Sequence, residues 1–168
     1  MHNNVVDAVC SSLGNRDIAW LKFNFRGVGG SGGRFADGIG EKEDAKAALS
    51  FGERQAKVNP EAIGLCGYSF GSIVAFPVAL EDPRVRAVGG ISPFVQPENL
   101  LNRFTRPKLF VCGTQDELVS SGALEKLVQK MPEPKELALF PGVDHFWWGK
   151  EEVMAEKVAR FFEKYLKN

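Results

Sequence analysis

Short apolar runs of strand type alternate with longer segments of helical period along nearly the whole chain. That alternation limits the architecture more than any other feature. Ile18 to Phe25, Ala62 to Cys66, Val85 to Ile91, Lys108 to Cys112 and Glu136 to Phe140 are rich in β-branched, aromatic and leucine residues, and turn formers bound them, so they read as strands. Asn3 to Leu13, Glu41 to Gln55, Ser69 to Leu80, Ser121 to Met131 and Glu151 to Leu166 read as helices. Pro77 removes one backbone donor inside the third of these, which predicts a kink or an early end there. Strands that alternate with helices need crossover connections. The expectation is therefore an α/β fold, a mostly parallel sheet with helices on both faces. The link from Ser92 to Pro107 leaves room for one small helix near Glu98 to Arg103 and not for a large cap.

The chain of 168 residues fits one domain, residues 1–168, with a single core. The formal net charge is zero, so the total implies neither a basic face nor phosphate-backbone binding. The expected partner is a neutral substrate or a small molecule, with no nucleic acid and no membrane. No apolar run approaches the roughly 20 residues of a membrane helix, and Met1 to Asn15 does not read as a secretion signal. Cys10, Cys66 and Cys112 are an odd set that suggests no disulfide framework, and the cytoplasm is the default location. No feature speaks to oligomeric state.

Open α/β sheets place ligands beyond the carboxyl ends of their strands. At one such end lies Gly67-Tyr68-Ser69-Phe70-Gly71, a G-x-S-x-G run after a strand and before a helix. This is the setting of a nucleophile elbow, a tight turn that lifts the serine hydroxyl out of the sheet. The turn also points the Phe70 N–H, at a helix start, toward a developing oxyanion. A serine nucleophile needs a base. His145 follows the last strand, whereas the other histidine, His2, is at the chain start. Asp116 lies between Ser69 and His145 in the order this fold requires and is the expected partner of the imidazole. Glu117 and Asp144 are its competitors.

Gly27-Val28-Gly29-Gly30-Ser31-Gly32 contains a G-x-G-x-x-G, the phosphate-cradling pattern of dinucleotide folds. The glycines continue to Gly40 and no helix opens inside the motif, so a flexible loop beside the site explains them better. Tyr68, Phe94, Phe146 and Trp147 are the candidates to line a substrate pocket. The run Phe146 to Trp148 reads equally well as packing of the last helix on the sheet. No His, Cys, Asp or Glu spacing suggests a metal, and no cofactor is expected. A site without a cap favours small, soluble substrates.

At these residues the chain resembles the small, lidless bacterial α/β-hydrolases related to dienelactone hydrolase. The matching pieces are Phe23 to Gly29, Gly38 to Asp44, the elbow, Gly113 to Asp116 and Asp144 to Gly149. The resemblance implies Ser69 as nucleophile, Asp116 as acid, His145 as base and Phe70 as an oxyanion donor. Dienelactone hydrolases proper carry cysteine at the elbow, so Ser69 points to an esterase-like relative. The family resembled has more chain ahead of the position of Met1, including a strand and a loop that gives a second oxyanion N–H. This implies a fold that lacks its N-terminal strands and an edge or a direct pairing where they would lie. It further implies weak activity, since one lost oxyanion donor costs about 10²–10³ in turnover, and poor solubility until upstream chain is restored. The expected activity is hydrolysis of a small carboxylic ester, thioester or lactone through an acyl-enzyme. The rivals are a non-catalytic hydrolase-fold binding module and a nucleotide binder that uses Gly27 to Gly32.

Overall fold

The computed structural model describes residues 2–167. Four strands, β1 (Ile63–Tyr68), β2 (Val85–Ile91), β3 (Lys108–Gly113) and β4 (Lys135–Phe140), form one parallel sheet in the order β1-β2-β3-β4. Five helices accompany them: α1 (Asn4–Gly14), α2 (Ile39–Glu53), α3 (Phe70–Glu81), α4 (Ser121–Gln129) and α5 (Glu151–Leu166). Side chains alternate along each strand, and the alternation divides the core into two layers. Phe110 and Cys112 of β3 face α2, α3 and α4, where Leu49, Val74, Phe76, Leu124 and Val128 are buried. Leu109 and Val111 face the opposite layer, where Val5 and Val9 of α1 meet Met154, Val158 and Phe161 of α5. This is the α/β sheet covered on both faces that the alternation requires.

Local chemistry sets the element ends. The Asn3 side chain accepts the Val6 N–H at 3.1 Å and starts α1, and Ser120 does the same for α4 through Ala123. Helix α3 runs through Pro77 to Glu81 instead of ending early. The Arg106 guanidinium donates to the carbonyl of Ala79, which the last turn leaves open, and to those of Asp82 at the cap and Val85 at the start of β2.

Two expected elements are absent. Residues 98–103 form turns, with Leu100 N–H on Pro97 O and Asn102 N–H on Asn99 O, and not a helix. Each of these bonds spans three residues, and the pattern does not propagate into the four-residue ladder. Ile18 to Phe25 joins no strand of the sheet, although Phe23 and Phe25 pack on one core layer and Ile18 on the other. Its side-chain pattern is that of a strand, but a strand exists only with a hydrogen-bonding neighbour. Trp20 and Leu21 are each 49% exposed. Strand β1 is correspondingly an edge of the sheet. The two segments therefore do not pair directly, and an edge remains.

Lys108 opens β3 fully buried. Its ammonium donates to Pro132 O at 2.8 Å and Pro134 O at 3.2 Å and lies over the Phe104 ring. Burial pulls its pKa down to about 8.

Candidate active site

The site is assembled at the carboxyl ends of β1, β3 and β4. Ser69 sits between β1 and α3 with φ 50° and ψ −118°, a conformation that L residues rarely hold. Its N–H donates to Ile91 O at 2.9 Å, which ties the elbow to the neighbouring strand. The turn needs Gly67, because a Cβ there would overlap the Gly71 carbonyl oxygen. A Cβ on Gly71 would meet nothing. The two glycines of the motif thus have different standing, which the pattern alone does not reveal. Phe70 provides the first N–H of α3, a donor with no partner inside the helix. Its ring is held between Phe25, 5.7 Å away, and Phe35, 5.3 Å away.

Asp116 and His145 come from adjacent loops that interlock. Gly113 at the end of β3 lies so close to the Val143 carbonyl that a Cβ would collide with it. Gln115 N–H donates to that same carbonyl at 2.9 Å, and Gly142 N–H to Thr114 Oγ1 at 3.0 Å. Gly113 was a signal for this approach, though one legible only once Val143 is known to face it. The Asp116 carboxylate is wholly inaccessible, and Oδ1 accepts the N–H groups of Leu118 and Val119, each at 2.9 Å.

His145 is 4% exposed. Its Nδ1 lies 2.9 Å from both Asp116 oxygens, and its Nε2 lies 2.9 Å from Ser69 Oγ. An ionised carboxylate only accepts, so Nδ1 carries the proton and Nε2 is left to accept from the serine hydroxyl. The Tyr68 hydroxyl donates to the His145 carbonyl at 3.0 Å and so holds the loop from below. Burial, with Asp116 and Asp144 nearby, pushes the Tyr68 pKa up and keeps this donor protonated. The Cys112 thiol, 3.9 Å from Asp116 Oδ2, is pushed up to about 12 by burial and then by that carboxylate.

Of the competitors, Glu117 is exposed, and Asp144 Oδ1 caps its own loop by accepting from Phe146 and Trp147 N–H. Phe94 and Phe146 flank the imidazole with ring centroids 6.4 and 5.6 Å away. Trp147 does not line the site. It is completely buried against Phe140, and its indole N–H donates to Ser92 Oγ at 3.0 Å. Packing wins there because the loop turns its ring into the layer between the sheet and α5.

The glycine-rich stretch forms turns and opens no helix within the motif. It is fastened from α2 instead. Buried Glu41 accepts Ala36 and Gly38 N–H at 2.8 and 2.9 Å, while Asp44 accepts the backbone N–H and the guanidinium of Arg26. Sequence reasoning missed Glu41, whose signal was an acidic residue in the first turn of a helix. Among the described residues no group of three or more His, Cys, Asp or Glu side chains is arranged to hold a metal, and no helix is long and apolar enough to cross a membrane.

A parallel sheet with a serine on a strained turn at its rim defines an α/β-hydrolase fold. The model of the dienelactone hydrolase family matches residues 38–165, and the chain belongs to that family. It is similar to an uncharacterized protein of Rickettsia prowazekii, 30% identical over 171 residues that cover 94% of this chain and 70% of the relative. Among solved structures it is similar to an α/β serine hydrolase homologue from Coxiella burnetii. That match is 33% identical, has a TM-score of 0.84, and covers 95% of this chain and 76% of the other. It is also similar to a serine hydrolase without a lid from Xanthomonas campestris, 26% identical with a TM-score of 0.87, over 100% of this chain and 76% of that one.

Proposed function

We propose that this chain is a serine hydrolase that cleaves a small carboxylic ester, a thioester and a lactone being close chemical alternatives. The observation that carries the reading is the continuous relay from Ser69 Oγ through His145 to a buried Asp116, each link 2.9 Å long. Ser69 Oγ attacks the carbonyl carbon while His145 Nε2 takes its proton. The imidazolium that forms lies beside the Asp116 carboxylate, which two backbone N–H groups hold in place. The carbonyl oxygen gains charge as the tetrahedral adduct forms, and the Phe70 N–H at the start of α3 is placed to receive it. Collapse of the adduct expels the alcohol, which takes the proton from His145. Water then attacks the acyl-enzyme by the same route and frees Ser69. Phe94 and Phe146 supply apolar walls on either side of the reacting group.

The test is turnover of para-nitrophenyl acetate by the chain and by Ser69→Ala. The reading expects a burst of nitrophenol that matches one equivalent of enzyme, and a loss of about 10⁴-fold or more in Ser69→Ala. Equal rates in the two proteins would refute it.

A further inference from the structure

Two cavities stand out on the described surface. One, of about 480 Å³, lies between residues 21–32 and α2, and its ionic groups, Arg26 and Asp44, satisfy each other. The other, of about 370 Å³, lies between residues 93–98 and α4, and its cationic groups are not satisfied in this way.

The inner end of this second cavity is made of residues that also hold the relay. Phe94 has its N–H on Ser72 Oγ at 2.8 Å and its ring beside His145. Leu118 and Val119 line the cavity, and both give their N–H groups to Asp116. The floor is apolar, with Val95, Val119 and Leu124 buried and Leu127 half-buried.

Helix α4 leads from the Asp116 loop outward along this floor. Lys126 and Lys130, one turn apart, line the far side. At 1.5 Å per residue they lie about 8 and about 14 Å from the start of the helix. Among the described residues neither has a carboxylate within 4.0 Å. Glu98 is the lone carboxylate on the lining, so the cavity carries a net positive charge although the whole chain carries none. A local excess of one sign beside low-dielectric walls selects ligands of the other sign.

Building on the serine-hydrolase reading, we propose that this cavity seats one arm of the substrate, and that the arm is apolar along its length and ends in a carboxylate held by Lys126 and Lys130. The arm leaves the reacting carbonyl at Phe94, passes Leu118 and follows the α4 floor to the lysines.

The experiment compares two pairs of esters that differ only at the tail. Para-nitrophenyl hydrogen sebacate is set against para-nitrophenyl decanoate for an acyl arm, and 10-acetoxydecanoate against decyl acetate for an alcohol arm. In one of the pairs kcat/KM favours the carboxylate roughly three- to tenfold at low salt, the scale of two exposed ion pairs, and the preference shrinks as salt is added. Lys126→Glu with Lys130→Glu removes or inverts that ratio. Equal kcat/KM within both pairs would overturn the arm assignment and leave the serine chemistry standing. So would a preference that survives the double charge reversal. Absence of turnover on all four esters would count instead against the hydrolase reading. Calorimetry with Ser69→Ala then tests the arm by binding alone: tighter binding of monomethyl sebacate than of methyl decanoate supports it, and equal binding removes it.

Discussion

Strand β3 and the stretch Ile18 to Phe25 begin with the same kind of sequence and end in different structures. Each is a short apolar run that feeds a glycine-containing loop at the rim of the site. Every residue of β3 is buried, with β2 paired on one side and β4 on the other. The earlier stretch has no sheet partner, and two of its large side chains are half in solvent. An apolar run of the right period describes a segment ready to be a strand, but the hydrogen-bonding neighbour makes it one. The loops that follow are secured accordingly. The loop after β3 is locked by backbone contacts across Gly113 and Val143. The loop after Phe25 is held by the carboxylates of Glu41 and Asp44 reaching over from α2.

The sharpest way to break this contrast is to remove the same side chain from each segment. Leu109→Ala in β3, fully buried between the sheet and α5, is expected to cost about 2–5 kcal/mol in denaturant unfolding. Leu21→Ala, half exposed, is expected to stay within about 0.5 kcal/mol. Comparable losses at both positions would mean that the stretch is as firmly built as β3. Native-state hydrogen exchange reads the same difference along the backbone. It should show strong protection across β2 and β3 and little across residues 19–25.

A smaller effect sharpens the picture of β3 itself. Lys108 has a folded pKa of about 8 against an ordinary 10.5. The folded state therefore holds fewer protons than the unfolded chain between these values, and stability rises with pH across that window. The penalty for the buried ammonium is full below about pH 8 and gone above the unfolded value. The stability of the wild type relative to Lys108→Met should rise by about 2 kcal/mol from pH 7 to pH 10. A difference that stays flat with pH would show that the ammonium is not desolvated as described.

The same contrast explains what the sequence made legible. The periods of β1 to β4 and of the five helices were readable, and each of these strands also finds a hydrogen-bonding neighbour among the described residues. That Ser69, Asp116 and His145 meet at one rim was readable because chain order and strand ends suffice to bring them together there. Pairing was not readable, so Ile18 to Phe25 looked like a strand. Nor was the direction of a ring after a turn, so pocket wall and packing read equally well for Trp147, which is buried beneath the site. The fastening role of Glu41 was only half legible: an acidic residue in the first turn of a helix was visible, but its partners, Ala36 and Gly38, are backbone groups that carry no sequence signature.

On the proposed reading, His145 makes the Ser69 hydroxyl nucleophilic. A fluorophosphonate reports this directly, because it bonds to an activated serine and stays there. After incubation, intact-mass and peptide analysis should find one adduct per chain, on Ser69, and His145→Ala should abolish it in protein that remains folded. An unlabelled Ser69 in the folded wild type, or labelling that persists without His145, would contradict the account.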